Sequence, residues 1–302
     1  MAKPKFDLTH PVVSAGIELY KQRATLAYEM AASQDDAVRP VFALNEHTQS
    51  VHHVGSCVLL KVRNETFALS ASHVFDDVGK YQLLIGCGDR LHSLGGDRFS
   101  SKRGASGTHR DDPIDASVFH ITADVAKEIG ASTLTLQDLD LVPADRSPEF
   151  YVATGYRVSQ SKSNSRGHTT RLDRYPSIEL NDDHYERLNR SREMHLLLAF
   201  EEQVLVDGKW QTAPSIRGFS GGAMFRIPDL SPFASQTKTD FGKVKLAAIL
   251  IERHKGEGDR FSSAAIGTRL GVHFGLIHKF LPELHFDEML AAEYERQTGA
   301  PS

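Results

Sequence analysis

Three short segments hold residue types that together support nucleophilic catalysis. Gly218-Phe219-Ser220-Gly221-Gly222 sets a serine among glycines. Glycine takes backbone angles that other residues avoid, so such a turn exposes a hydroxyl and aims successive N–H groups into one concavity, where they stabilise a developing oxyanion. A serine hydroxyl is a poor nucleophile near neutral pH and needs a base whose pKa lies near 6.5. Phe67-Ala68-Leu69-Ser70-Ala71-Ser72-His73-Val74 offers one: an apolar run that ends in small residues and then a histidine. A carboxylate on the far ring nitrogen would fix the tautomer of that histidine. Asp111-Asp112-Pro113-Ile114-Asp115-Ala116-Ser117-Val118-Phe119 supplies three candidates. Asp115 borders the apolar run and is preferred, Asp112 reads as an Asp-Pro turn, and Asp111 stays a rival.

Those residues need a rigid frame. Residues 12–33 carry Ile17, Leu19, Tyr20, Leu26, Ala27 and Met30 near one helical face, which predicts an N-terminal helix. From Val51 the pattern turns to short runs rich in Val, Leu and Phe: SCVLLKV, TFALSAS, YQLLIG, ASVFHI, EFYVATGY, MHLLLAF, QVLVDGKW, GAMFRI and KLAAILI. Polar or glycine-bearing turns separate most of them, which predicts an all-β barrel or sandwich. Residues 97–112, 157–193 and 228–243 are polar and read as surface insertions. Pro282 divides the final helical pattern into two short helices.

LSASHV resembles the strand-end histidine motif of trypsin-like serine peptidases, DASVF their aspartate strand and GFSGGAMF their nucleophile motif, in their order His, Asp, Ser. YVATGY resembles their Gly-aromatic strand, and LAAILIE with AAIGTRLGVHFGLI their substrate-side strand, last strand and closing helix. The resemblance covers about residues 50–282. It implies an all-β core of two six-stranded antiparallel barrels with the triad His73, Asp115 and Ser220 at their junction. It further implies an oxyanion hole from the N–H groups of Gly218 and Ser220, and a substrate contact formed by Pro214, Ile249, Leu250 and Ile251. The expected division is a helical extension over 1–45 and a peptidase domain over 46–302, with barrels at about 46–135 and 146–275 and closing helices over 275–297.

The sequence departs from secreted members of that family. Val74 follows the histidine where they carry a bridged cysteine, with Cys57 read as lying near the other half of that bridge. Phe219 replaces the aspartate that pairs with a freed N-terminus on zymogen activation. Gln211-Thr212-Ala213-Pro214-Ser215 offers no acid for a basic P1 side chain, so a small or apolar P1 residue is expected.

Composition narrows the partners. A net charge of −4 gives no general attraction for nucleic acid or anionic membrane. Asp7, His10 and Pro11 interrupt any secretory apolar run, and Cys57 and Cys87 are the only cysteines, so a reduced, cytoplasmic setting is expected. His52, His53, His184 and His195 lack zinc spacing, and Gly86-Cys87-Gly88 lacks the third glycine of a dinucleotide site, so no metal or cofactor is expected. The expected activity is serine endopeptidase on protein or peptide substrates, controlled by an activating partner. The competing expectation is a peptide-binding module with a vestigial triad.

Overall fold

The computed structural model describes residues 10–76, 81–130, 132–142, 149–164, 167–201, 203–206, 209–212, 215–232, 242–256 and 263–299. Helix α1 (Pro11–Ala31) begins with Pro at its first turn, where the missing N–H costs nothing. It packs on the second barrel: Ala27 and Ala31 are fully buried, and Tyr20 stacks on Phe150 with centroids 5.2 Å apart.

The first barrel contains β1 (Val38–Asn45), β2 (Ser50–Val62), β3 (Glu65–Ala71), β4 (Gln82–Cys87), β5 (Arg90–Ser93), β6 (Gly96–Ser100) and β7 (Ala116–Ile121). Helix α2 (Ala123–Ile129) follows. Neighbouring strands run β5-β4-β1-β2-β3-β7-β6. The two edge strands, β5 and β6, are consecutive in the chain and separated only by Leu94 and Gly95. The edges are therefore adjacent, and the sheet closes. Gly96 takes φ +129° at this corner, and a Cβ there would lie 1.8 Å from the His120 carbonyl oxygen, so only glycine fits.

The second barrel contains β8 (Phe150–Tyr156), β11 (Leu172–Ile178), β12 (His195–Ala199), β15 (Ala223–Ile227), β16 (Lys245–His254) and β17 (Ala264–Arg269). The two-stranded ribbons β9 (Lys162–Asn164) with β10 (Gly167–Thr169) and β13 (Gln203–Val206) with β14 (Lys209–Thr212) lie between these in sequence, as does helix α3 (Asp182–Arg187). The order β11-β8-β15-β16-β17-β12 closes through the Leu180 N–H on the Leu197 carbonyl at 2.9 Å. Helices α4 (Leu270–Phe280) and α5 (Phe286–Thr298) finish the chain.

With β5 and β6 counted as one strand bent at Gly96, both barrels have the same cyclic order: first, second, third, sixth, fifth, fourth. The fold is chymotrypsin-like, with barrel sheets of seven and six strands. The expected six in the first barrel becomes seven because its fifth strand breaks at that glycine corner.

Other expectations shift. Residues 38–45, placed in the extension, form β1 between β2 and β4. Within the expected insertions, β6 pairs with β7 and β11 with β8. Their sequences, GDRFS and LDRYPSI, are polar because the charges find partners: Asp173 pairs with Arg157, and Arg174 with Asp35. Most of 228–243 lies outside the described residues.

Candidate active site

Strand β3 ends at Ala71, and one 3-10 turn, Ser72–Phe75, presents His73. Asp115 lies one residue before β7, the neighbour of β3, so sheet pairing alone brings the two residues together. The His73 Nδ1–H donates to Asp115 Oδ2 at 2.5 Å, and the His73 backbone N–H donates to Oδ1 at 2.9 Å. Both carboxylate oxygens are thus committed to one residue, which fixes the ring tautomer and leaves Nε2 as the outward nitrogen. The Asp115 side chain is 6% exposed and that of His73 31%. Burial raises the pKa of Asp115, the bonds from His73 act in the opposite sense, and nearby Asp112 adds to the rise.

The rival aspartates are occupied elsewhere. Asp112 accepts from Ser101 Oγ at 2.5 Å and from the Ile114 N–H at 2.9 Å. Asp111 holds the Ser106 hydroxyl and N–H in an exposed turn. A second His–Asp pair, His109 Nδ1 to Asp76 Oδ1 at 2.5 Å, mimics the first, but His109 is buried and its Nε2 donates to the Ser101 carbonyl at 3.1 Å. No ring nitrogen is left there for a substrate.

Ser220 sits on the turn that opens β15. Gly218 and Gly221 take φ +101° and +82°, and a Cβ on Gly221 would fall 2.0 Å from the Ser56 carbonyl oxygen. The turn is bonded to both barrels. Ser56 N–H of β2 donates to the Ser220 carbonyl at 2.7 Å, and Ser56 Oγ to that of Gly218 at 2.9 Å. From the second barrel, the Gly221 N–H donates to the Leu250 carbonyl at 2.7 Å and the Leu250 N–H to that of Gly222 at 2.8 Å. The Phe219 N–H turns back to Ile216, whereas the N–H groups of Gly218 and Ser220 have no acceptor among the described residues.

Gly55 links this turn to the histidine. A Cβ at Gly55 would meet Val74 side-chain carbons at 2.7 Å and the Ser220 carbonyl oxygen at 2.8 Å, so Ser220 and the neighbour of His73 flank one glycine. The Ser220 hydroxyl itself donates to the Ile251 carbonyl at 3.3 Å rather than to His73. Rotation about χ1 separates this geometry from one with the hydroxyl on the imidazole, and such bonds commonly tighten only when substrate binds.

The substrate contact expected from sequence is corrected in part. Pro214 lies outside the described residues. Ile249, Leu250 and Ile251 are at most 2% exposed and pack into the cores, so their side chains line no pocket; continuous apolar character here reflects burial on both faces. Strand β15 pairs with β16 only as far as Ile249, which leaves Glu252, Arg253 and His254 uncovered by β15 on that edge.

By sequence, neither a family profile nor a curated protein matches the chain. The solved structures to which it is similar include two proteases. The Rv3671c protease from M. tuberculosis in its active form is 14% identical, with a TM-score of 0.45, covering 85% of this chain and 86% of that one. Neuropsin, a serine protease expressed in the limbic system of mouse brain, is 12% identical, with a TM-score of 0.49, covering 82% and 95%. Likenesses of this size assign neither activity nor specificity.

Two departures from the secreted pattern have structural explanations. The Val74 side chain packs against Gly55, and Cys57 and Cys87 are both free thiols. Cys57 is fully buried, and burial pushes its thiol pKa far up, which makes it a small hydrophobe. Phe219 is 2% exposed and inserts under Gly155, so packing rather than an ion pair anchors the turn.

The sequence reading missed Ser56 and Ser70, which tie β2 and β3 to the nucleophile turn: Ser70 Oγ donates to the Ser56 carbonyl at 2.8 Å. A serine within an apolar strand run is the signal that was available.

Proposed function

We propose that this protein is a serine endopeptidase that cleaves peptide bonds through an acyl-enzyme on Ser220. The observation that carries the reading is the doubly bonded His73–Asp115 pair beside a half-buried serine on a glycine-rich turn. Ser220 Oγ attacks the scissile carbonyl while His73 Nε2 takes its proton, and Asp115 holds the resulting imidazolium. The N–H groups of Gly218 and Ser220 receive the oxyanion. His73 then returns the proton to the leaving amine, and a water activated by the same nitrogen attacks the acyl ester and releases Ser220.

An extended peptide adds its backbone along β16 beyond Ile251, on the side where pairing with β15 has ended, which delivers the scissile bond to the turn bonded at Leu250 and Ile251. No acid on the described part of the turn calls for a basic P1 side chain, and a small or apolar P1 residue is the preferred substrate. Incubation with an unfolded protein and identification of the new N-termini tests this. Cleavage by the parent and a loss of roughly 10⁶-fold in Ser220→Ala supports it; equal cleavage by the variant refutes it.

A further inference from the structure

Asp115 has few direct supports for a residue with so constrained a task. Among the described residues, only His73 donates to its carboxylate. Its backbone takes φ +47°, a left-handed conformation that a residue with a Cβ keeps only where its surroundings fix it. The direction of the carboxylate is therefore set by the backbone of residues 113–115.

Its own barrel holds the Asp115 carbonyl through the Ser72 N–H at 2.9 Å, and the other barrel holds the two carbonyls before it. His195 Nε2–H donates to the Pro113 carbonyl at 2.8 Å, and Arg190 Nη1 donates to the same oxygen at 3.2 Å. Thr268 Oγ1 donates to the next carbonyl, that of Ile114. His195 and Thr268 are directly paired across β12 and β17, so one cross-strand pair holds two successive carbonyls of a loop in the first barrel. His195 is 4% exposed and Thr268 fully buried, so water does not compete for these bonds. Arg190 has a second hold: it pairs with Glu252, the residue after the one whose carbonyl receives the Ser220 hydroxyl.

We propose that His195, Thr268 and Arg190 are positioning residues that aim the Asp115 carboxylate at His73 across the boundary between barrels, a role that rests on the peptidase reading above. The second barrel carries Ser220 as well, so the same body fixes nucleophile and orienting carboxylate, and a displaced barrel costs both at once.

The test reads the dyad directly. The proton shared by His73 Nδ1 and Asp115 gives a far-downfield resonance, assigned by its loss in His73→Ala, and the rate of Ser220 phosphonylation by a fluorophosphonate reports catalysis separately. Thr268→Val and His195→Leu are expected to shift or broaden away that resonance and to slow phosphonylation about tenfold to a hundredfold, the cost of a small misplacement. Thr268→Ser and His195→Gln keep a donor and are expected to restore both readouts. A parent-like resonance and rate in Thr268→Val would overturn the proposal; if that variant does not fold, the His195→Leu and His195→Gln pair decides in the same way. A parent that is not phosphonylated counts against the peptidase reading, while the resonance still decides the positioning role.

Discussion

At the scale of single residues, Asp115 carries two opposed demands. Its carboxylate must be ionised to orient His73, yet it lies buried, and burial raises its pKa despite the two bonds from His73. A folded-state pKa above the unfolded one means that the group's contribution is fully present below the unfolded value, about 3.9, and is lost as pH rises through the folded value. At neutral pH the ionised side chain therefore works against the fold. Asp115→Asn should raise Tm at pH 7. It should also lower peptide cleavage about 10⁴-fold through loss of the correct tautomer. Calorimetry and cleavage rates on the same sample check both, and a lower Tm with unchanged cleavage would contradict the assignment. The three residues of the proposed triad were legible as candidates in the sequence because each lies in a local motif. Thr268 and His195 were not, because each acts through a carbonyl more than 80 residues away and carries no local pattern.

At the scale of elements, the closing helix reaches the strand that presents the base. His273 of α4 is fully buried and donates from Nε2 to the Ser70 carbonyl of β3 at 3.2 Å. Burial pushes its pKa down to about 4, and that of His53, on the strand leading to Gly55, to about 4 as well. Here the folded-state value is the depressed one, so the stability is present above the unfolded pKa of about 6.5 and is lost as pH falls toward 4. Tm should fall steadily from pH 7 to pH 5, and His273→Gln, which keeps a donor, should flatten that slope. Thermal melts across the range decide it, and equal slopes in parent and variant would remove His273 from this account. Strands followed the same logic of legibility: ASVFHI appears at its expected bounds, 116–121, because Val118, Phe119 and Ile121 give it a strong apolar signal. Strands β6 and β11 stayed hidden because half-buried polar side chains replace apolar alternation along them, with Arg98 bonded to the Phe75 carbonyl in β6 and ion pairs at Asp173 and Arg174 in β11.

At the scale of the molecule, two barrels of identical cyclic order divide the chemistry. In the proposed reading the first supplies His73 and Asp115 and the second Ser220, and the boundary between them is bonded through Ser56 and the carbonyls of residues 113 and 114. Sequence patterns identified this division but not how the barrels are held together, since those bonds involve serines, a threonine and backbone atoms distant in the chain. Among the described residues, no helix is long and apolar enough to cross a membrane. The central claim is that the two halves form one working nucleophile. Intact-mass analysis after treatment with a fluorophosphonate tests it most directly. The account predicts one adduct per chain, on Ser220, formed by the parent and by neither Ser220→Ala nor His73→Ala. An unmodified parent, or an adduct on Ser220 that forms equally well without His73, would contradict it.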